Sequence, residues 1–195
     1  AVLVIEALPP RTADDLLRYC YHVAGTVGCM MAVVMGVRPD DQDTLDRACD
    51  LGLAFQLANI ARDIVPDAAV GRCYLPRDWL DELDLCETDL IDPAKRPAAA
   101  NLAARLIAMA EPYRRSARVG AARLPLRSRL AVLAADGIYG AIGERVAALG
   151  HRAWDNRVRV SGVGKLAVVV QAGVRAMRAP QPVSRAGLWT RPAAA

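Results

Sequence analysis

Aromatic residues make up only 5% of this 195-residue sequence, although 54% of it is hydrophobic. Interior volume must therefore be filled by Ala, Leu and Val, a composition that favours closely packed helices. Runs of alternating apolar and polar residues are missing, so few or no strands are expected. The five cysteines (Cys20, Cys29, Cys49, Cys73 and Cys86) are odd in number and form no C-x-x-C pair. They read as free core thiols in a reducing, cytoplasmic compartment rather than as a disulfide framework. No basic segment precedes AVLVIEALPP, and the longest nearly uncharged apolar run, VAGTVGCMMAVVMGV (23–37), falls short of the ~20 residues a spanning helix needs. Contact with a membrane is thus expected to be peripheral at most. No dinucleotide fingerprint occurs, and SGVGKL is not a phosphate-binding loop, because Arg159 and Leu166 stand where Gly and Ser or Thr are required.

What is present is a division of charge. Residues 1–97 hold 9 basic and 17 acidic side chains, whereas 98–195 hold 16 basic and 4 acidic. An acidic half beside a basic half suits a metal-bound anion, with carboxylates on the cation and arginines on the anion. The arginines lack interleaved aromatics or any nucleic-acid motif, so no nucleic-acid partner is expected.

The apolar residues recur with helical spacing, and an all-α bundle is expected. One helix is predicted over Asp14–Gly36 and a second from Thr44, as N-cap, to Val65, where Pro66 should end or kink it. An irregular connection over 68–85 carries a short helix near Trp79. Two long helices follow on either side of LPLRS, and a last one occupies about 163–178. Residues 1–178 read as one domain. The Pro-rich tail 179–195 shows no periodicity and is expected to be disordered.

Within the second helix, Gln56, Asn59, Asp63 and Asp67 fall within roughly an 80° arc, so four polar groups share one stripe among apolar neighbours. Asp63 and Asp67, at i and i+4, repel each other unless a cation lies between them. A hard ion such as Mg²⁺ would take one or two carboxylates and leave its other positions to water and phosphate oxygens. Traced backwards, the arc reaches Gly52, Cys49 and Leu45, a shape for a ligand with an anionic head and an apolar tail. An ordinary polar helix edge, with Asp63 paired to an arginine, is the alternative.

The strings YCYHVAGTVG, GLAFQLANIARD with its second acid at Asp67, GRCYLP, LPLRSRLAV, IYGAIGERV and RAWDNRVRVS resemble, in this order, the squalene/phytoene synthase family. The last of them is most similar to bacterial phytoene synthases. The resemblance implies a helical bundle of the type I isoprenoid synthase class that joins two prenyl diphosphates head to head, here two geranylgeranyl diphosphates to phytoene. It implies that Asp63 and Asp67 bind Mg²⁺ (Mn²⁺ as the substitute), that Arg62, Tyr139 and Arg157 lie at a diphosphate, and that Tyr19, Gln56 and Asn59 line the reaction centre. Oligomeric state is not read from it.

Two departures from the family stand out. Its first aspartate motif precedes the segment matching YCYHVAG, yet the 18 residues before Tyr19 contain none. The bundle is therefore expected to be incomplete at its N-terminus, and the chain inactive by itself. Pro66 also stands where Glu is usual, which puts the aim of Asp67 in question. The competing readings are a squalene or dehydrosqualene synthase acting on farnesyl diphosphate, and a non-catalytic, synthase-like assembly factor.

Overall fold

A computed structural model describes residues 9–192; the remainder of the predicted tail, 193–195, and the first eight residues lie outside the described range. The described residues form seven α-helices and no strand: α1 (Ala13–Cys20), α2 (Thr26–Val34), α3 (Gln42–Ala69), α4 (Arg77–Asp81), α5 (Arg96–Ala121), α6 (Leu126–Leu149) and α7 (Gly162–Ala176). None is long and apolar enough to cross a membrane. The central α3 packs on α2, α5 and α6, and α7 lies against α6. Leu53, Leu57, Leu102 and Leu106 fill the α3–α5 contact, consistent with an aliphatic core.

The first predicted helix exists, but it is not uniform. Between α1 and α2 the chain makes a π-turn over Tyr21–Gly25, where the Thr26 N–H reaches the Tyr21 carbonyl five residues back. Such a turn adds about one residue to the local repeat and rotates everything beyond it. Gly36, with φ +98°, closes the helix in the left-handed region, as a terminal glycine does.

α2 and α3 meet at backbone distance through reciprocal small residues. A Cβ on Gly28 would collide with the Ala48 carbonyl, and one on Gly52 with the Ala24 carbonyl and, at 2.8 Å, the Gly25 Cα. Any side chain at either glycine would wedge the two helices apart.

α3 departs from expectation at both ends. Its N-cap is Asp41, whose carboxylate accepts from the Thr44 N–H at 3.1 Å and from the Thr44 hydroxyl at 2.7 Å. At the far end the helix continues through Pro66 to Ala69 instead of stopping. Proline leaves the carbonyl four residues back, that of Arg62, without its helical donor. The Trp154 indole N–H donates to that carbonyl at 3.0 Å and replaces the missing bond. Trp154→Phe is therefore expected to cost about 1–3 kcal/mol by leaving a carbonyl unpaired. In a Pro66→Ala background the backbone N–H returns, and the same change should cost clearly less; a double-mutant cycle from urea melts measures the difference.

The tail also differs from its prediction. Residues 179–192 carry no helix, yet they are pinned to the face of α3 opposite Phe55. Arg185 donates to both oxygens of Asp50, at 2.8 and 2.9 Å, and Arg191 to Asp46 at 2.6 Å. Trp189 packs near Tyr21, with ring centroids 5.5 Å apart, and its N–H donates to the Tyr113 hydroxyl. Composition signalled disorder because the segment has no core of its own; buried Asp50, fully enclosed, supplies the anchor.

Candidate active site

α2, α3, α5 and α6 line an open groove of about 360 Å³. Its wall is apolar along Val23, Val27, Met31, Leu124 and Val132. At one end Gln56, Asn59 and Tyr139 turn polar groups inward. Phe55 stacks on the Tyr139 ring at 4.0 Å and fixes its plane. The volume lies in the range of small-molecule sites.

One helical turn beyond Asn59, Asp63 is paired with Arg62, and the Arg157 guanidinium stands 3.6 Å away. Asp63 holds the Arg62 proton more firmly than usual, against the opposing effect of burial. Arg157 arrives on the segment that Trp154 ties to the Arg62 carbonyl, so the bond that mends the helix at Pro66 also delivers a cation to Asp63. The acidic and basic halves of the sequence meet here.

Asp67 sits a turn further, in a small cleft with Arg72 and Tyr74. Burial, and next the charge of Asp63, raise its carboxyl above the usual range, while Arg72 and Arg62 pull the other way. Because the folded chain holds this proton better than the unfolded chain, Asp67 lowers stability as pH climbs from the ordinary carboxylate value of about 3.9 through its raised value. Asp67→Asn should flatten that part of the stability–pH curve, and thermal melts across it would register the change.

Tyr19 does not line the groove. Its ring stacks on Tyr74 at 5.1 Å, and burial, followed by Tyr74, raises its hydroxyl pKa. The π-turn over Tyr21–Gly25 lies between Tyr19 and the α2 residues that line the groove. The eight residues named from sequence thus form three adjacent groups: Gln56, Asn59 and Tyr139 in the groove; Arg62, Asp63 and Arg157 at its end; Asp67 and Tyr19 beside Tyr74. Arg72 and Tyr74, present in the string GRCYLP, and Phe55 were not singled out as site residues. Nothing local to the sequence marks Phe55, which belongs to the site only because α6 brings Tyr139 to it.

Among the described residues no three His, Cys, Asp or Glu side chains converge as a ready metal cage. The donors present nevertheless fit a hard divalent cation held largely by water and ligand oxygens. Asp63 and Asp67 offer carboxylate oxygens, one helical turn apart on α3, for such an ion.

A family model described as squalene/phytoene synthase matches residues 5–163. The chain is 54% identical over 185 residues to a 15-cis-phytoene synthase of Enterobacter agglomerans, covering 93% of this chain and 62% of that protein. It is 52% identical over 183 residues to one of Pantoea ananas, covering 92% and 58%. It therefore spans about three-fifths of the length of these curated relatives. Among solved structures it is similar to a dehydrosqualene synthase crystallised with a ligand, at TM-score 0.73 and 28% identity, covering 86% of this chain and 59% of that one. The order of the motifs, the helical architecture and the extent of these matches agree, and the chain belongs to the squalene/phytoene synthase family.

Proposed function

We propose that these residues form one wall of a phytoene synthase site, in which two geranylgeranyl diphosphates are joined head to head with release of diphosphate. The observation that carries this reading is an apolar groove ending at Gln56, Asn59 and Tyr139, one turn from the Arg62–Asp63–Arg157 cluster. The groove takes the prenyl chain and excludes water from the allylic cation. Arg62 and Arg157, which neutralise Asp63 in the free chain, turn to the diphosphate and offset its charge as it departs. Asp63 is thereby released, and with Asp67 it presents hard oxygens to Mg²⁺, or to Mn²⁺ in its place. When bound, the cation supplies further neutralisation of the leaving group. Gln56, Asn59 and the Tyr139 hydroxyl orient the reacting ends; Tyr19, through Tyr74, supports the Asp67 side. No residue need act as a nucleophile.

The 195-residue chain by itself is expected to give no phytoene from geranylgeranyl diphosphate and Mg²⁺, because its groove is open along one side and admits solvent. Exchanged for the matching segment of the Pantoea ananas relative, the same residues should support phytoene formation, read by chromatography. A folded chimera without product would overturn the assignment. Preference of that chimera for farnesyl diphosphate would instead favour the dehydrosqualene reading that the structural similarity raises.

A further inference from the structure

A second cavity, of about 430 Å³, lies between the C-terminal half of α5, the start of α6 and the end of α7. It is remote from Asp63. Gly120 of α5, two residues from the cavity's Arg118, packs on Arg47, and Arg47 precedes Asp63 by sixteen residues along α3, about 24 Å at the helical rise. The cavity has an arginine rim and an apolar floor: Arg115, Arg118, Arg129, Arg175 and Arg178 stand over Val119, Leu133, Pro180 and Val183.

The available carboxylates do not balance this rim. Buried Asp136 binds Arg114 at 2.7 Å and Arg118 at 2.8 Å, and lies 3.8 Å from Arg175. Glu111 serves Arg114 and Arg118 again. Among the described residues Arg129 meets only backbone carbonyls, those of Ala122, Leu124 and Ala176, so no carboxylate cancels its charge. Arg115 and Arg178 meet no carboxylate among the described residues. A cleft lined by one sign of charge concentrates an oppositely charged ligand, and guanidinium groups match phosphate oxygens in pairs.

From this we infer a second ligand site, for a phosphate or diphosphate carried on an apolar chain. The head would lie between Arg115 and Arg178 and the chain on the Leu133–Pro180 floor. The volume exceeds what a bare phosphate fills, and apart from the arginines and Gln181 the lining is apolar.

Two sources carry that chemistry, a soluble prenyl diphosphate and a phospholipid, and two arms separate them. In the first, geranyl diphosphate is titrated calorimetrically in EDTA into an Arg62→Ala/Arg157→Ala chain, which removes the other anion site. In the second, the chain is floated with phosphatidylcholine vesicles containing phosphatidic acid. Binding in at least one arm is expected, lowered tenfold or more by Arg115→Ala/Arg178→Ala, with geraniol and pure phosphatidylcholine ineffective. Both substituted arginines are exposed, so the helical melt should not move. Because the background substitutions could disturb folding, a benzophenone-bearing geranyl diphosphate is also photolysed with the unsubstituted chain and the adduct mapped by mass spectrometry. Label on 175–183, which the first groove does not reach, supports the site. Binding in neither arm, binding that ignores Arg115→Ala/Arg178→Ala, or adducts that leave 175–183 unlabelled overturns it.

Discussion

Gly52→Val is expected to destroy the cooperative fold of this chain. The first added carbon already collides with the Ala24 carbonyl and the Gly25 Cα, which are backbone atoms and cannot rotate aside. Overpacking against movable side chains costs about 1–3 kcal/mol; here relief requires moving α2 away from α3, and the loss should exceed that range. Against a total stability of about 5–15 kcal/mol, such a loss leaves little or no folded population at 37 °C. A circular dichroism melt of the variant should show a broad, early transition. A midpoint within a few degrees of the unsubstituted chain would mean that the two helices do not touch as described. Gly28→Val, which strikes the Ala48 carbonyl from the opposite side of the same crossing, should behave alike.

The second large effect is chemical. In the chimera described above, Asp63→Ala should lower phytoene formation by about 10²–10³-fold, the range lost when one preorganised electrostatic partner of a departing anion is removed. The substitution also leaves Arg62 and Arg157 without their shared counter-ion, so the diphosphate should bind no more weakly, and affinity measured without metal should rise. A fall in turnover with retained or tighter metal-free binding separates this role from simple unfolding, which would lower both. Turnover within a fewfold of the unsubstituted chimera would remove Asp63 from the metal site.

How much of this was legible depends on how far each inference had to reach along the chain. The stripe Gln56–Asn59–Asp63–Asp67 could be drawn because a helix fixes the angle between near neighbours, and α3 proved long enough to hold all four. The position of Tyr19 relative to the groove could not be counted in the same way, because the π-turn over Tyr21–Gly25 breaks that angular rule and carries no compositional mark. Whether α3 would end or run on at Pro66 was left open, since the compensating donor, Trp154, lies 92 positions from the Arg62 carbonyl it serves. The approach of Arg157 to Asp63 was reached only through the family resemblance; charge balance alone pointed to the basic half but chose no arginine within it. For the tail, proline content was outweighed by three ion pairs whose acidic partners, Asp46 and Asp50, sit on α3.

Those tail contacts have a consequence in time. Asp50 is fully enclosed in the finished molecule, and the arginine that grips both its oxygens is 135 residues further along the chain. At about 5–20 residues per second of synthesis, roughly seven to twenty-seven seconds separate the appearance of the carboxylate from that of its partner. Throughout that interval α3, the element on which the other helices assemble, carries an anion without its eventual counter-charge. The nascent chain must therefore keep the Asp46–Asp50 face wet, and the back of the bundle can close only once Arg185 and Arg191 have been made.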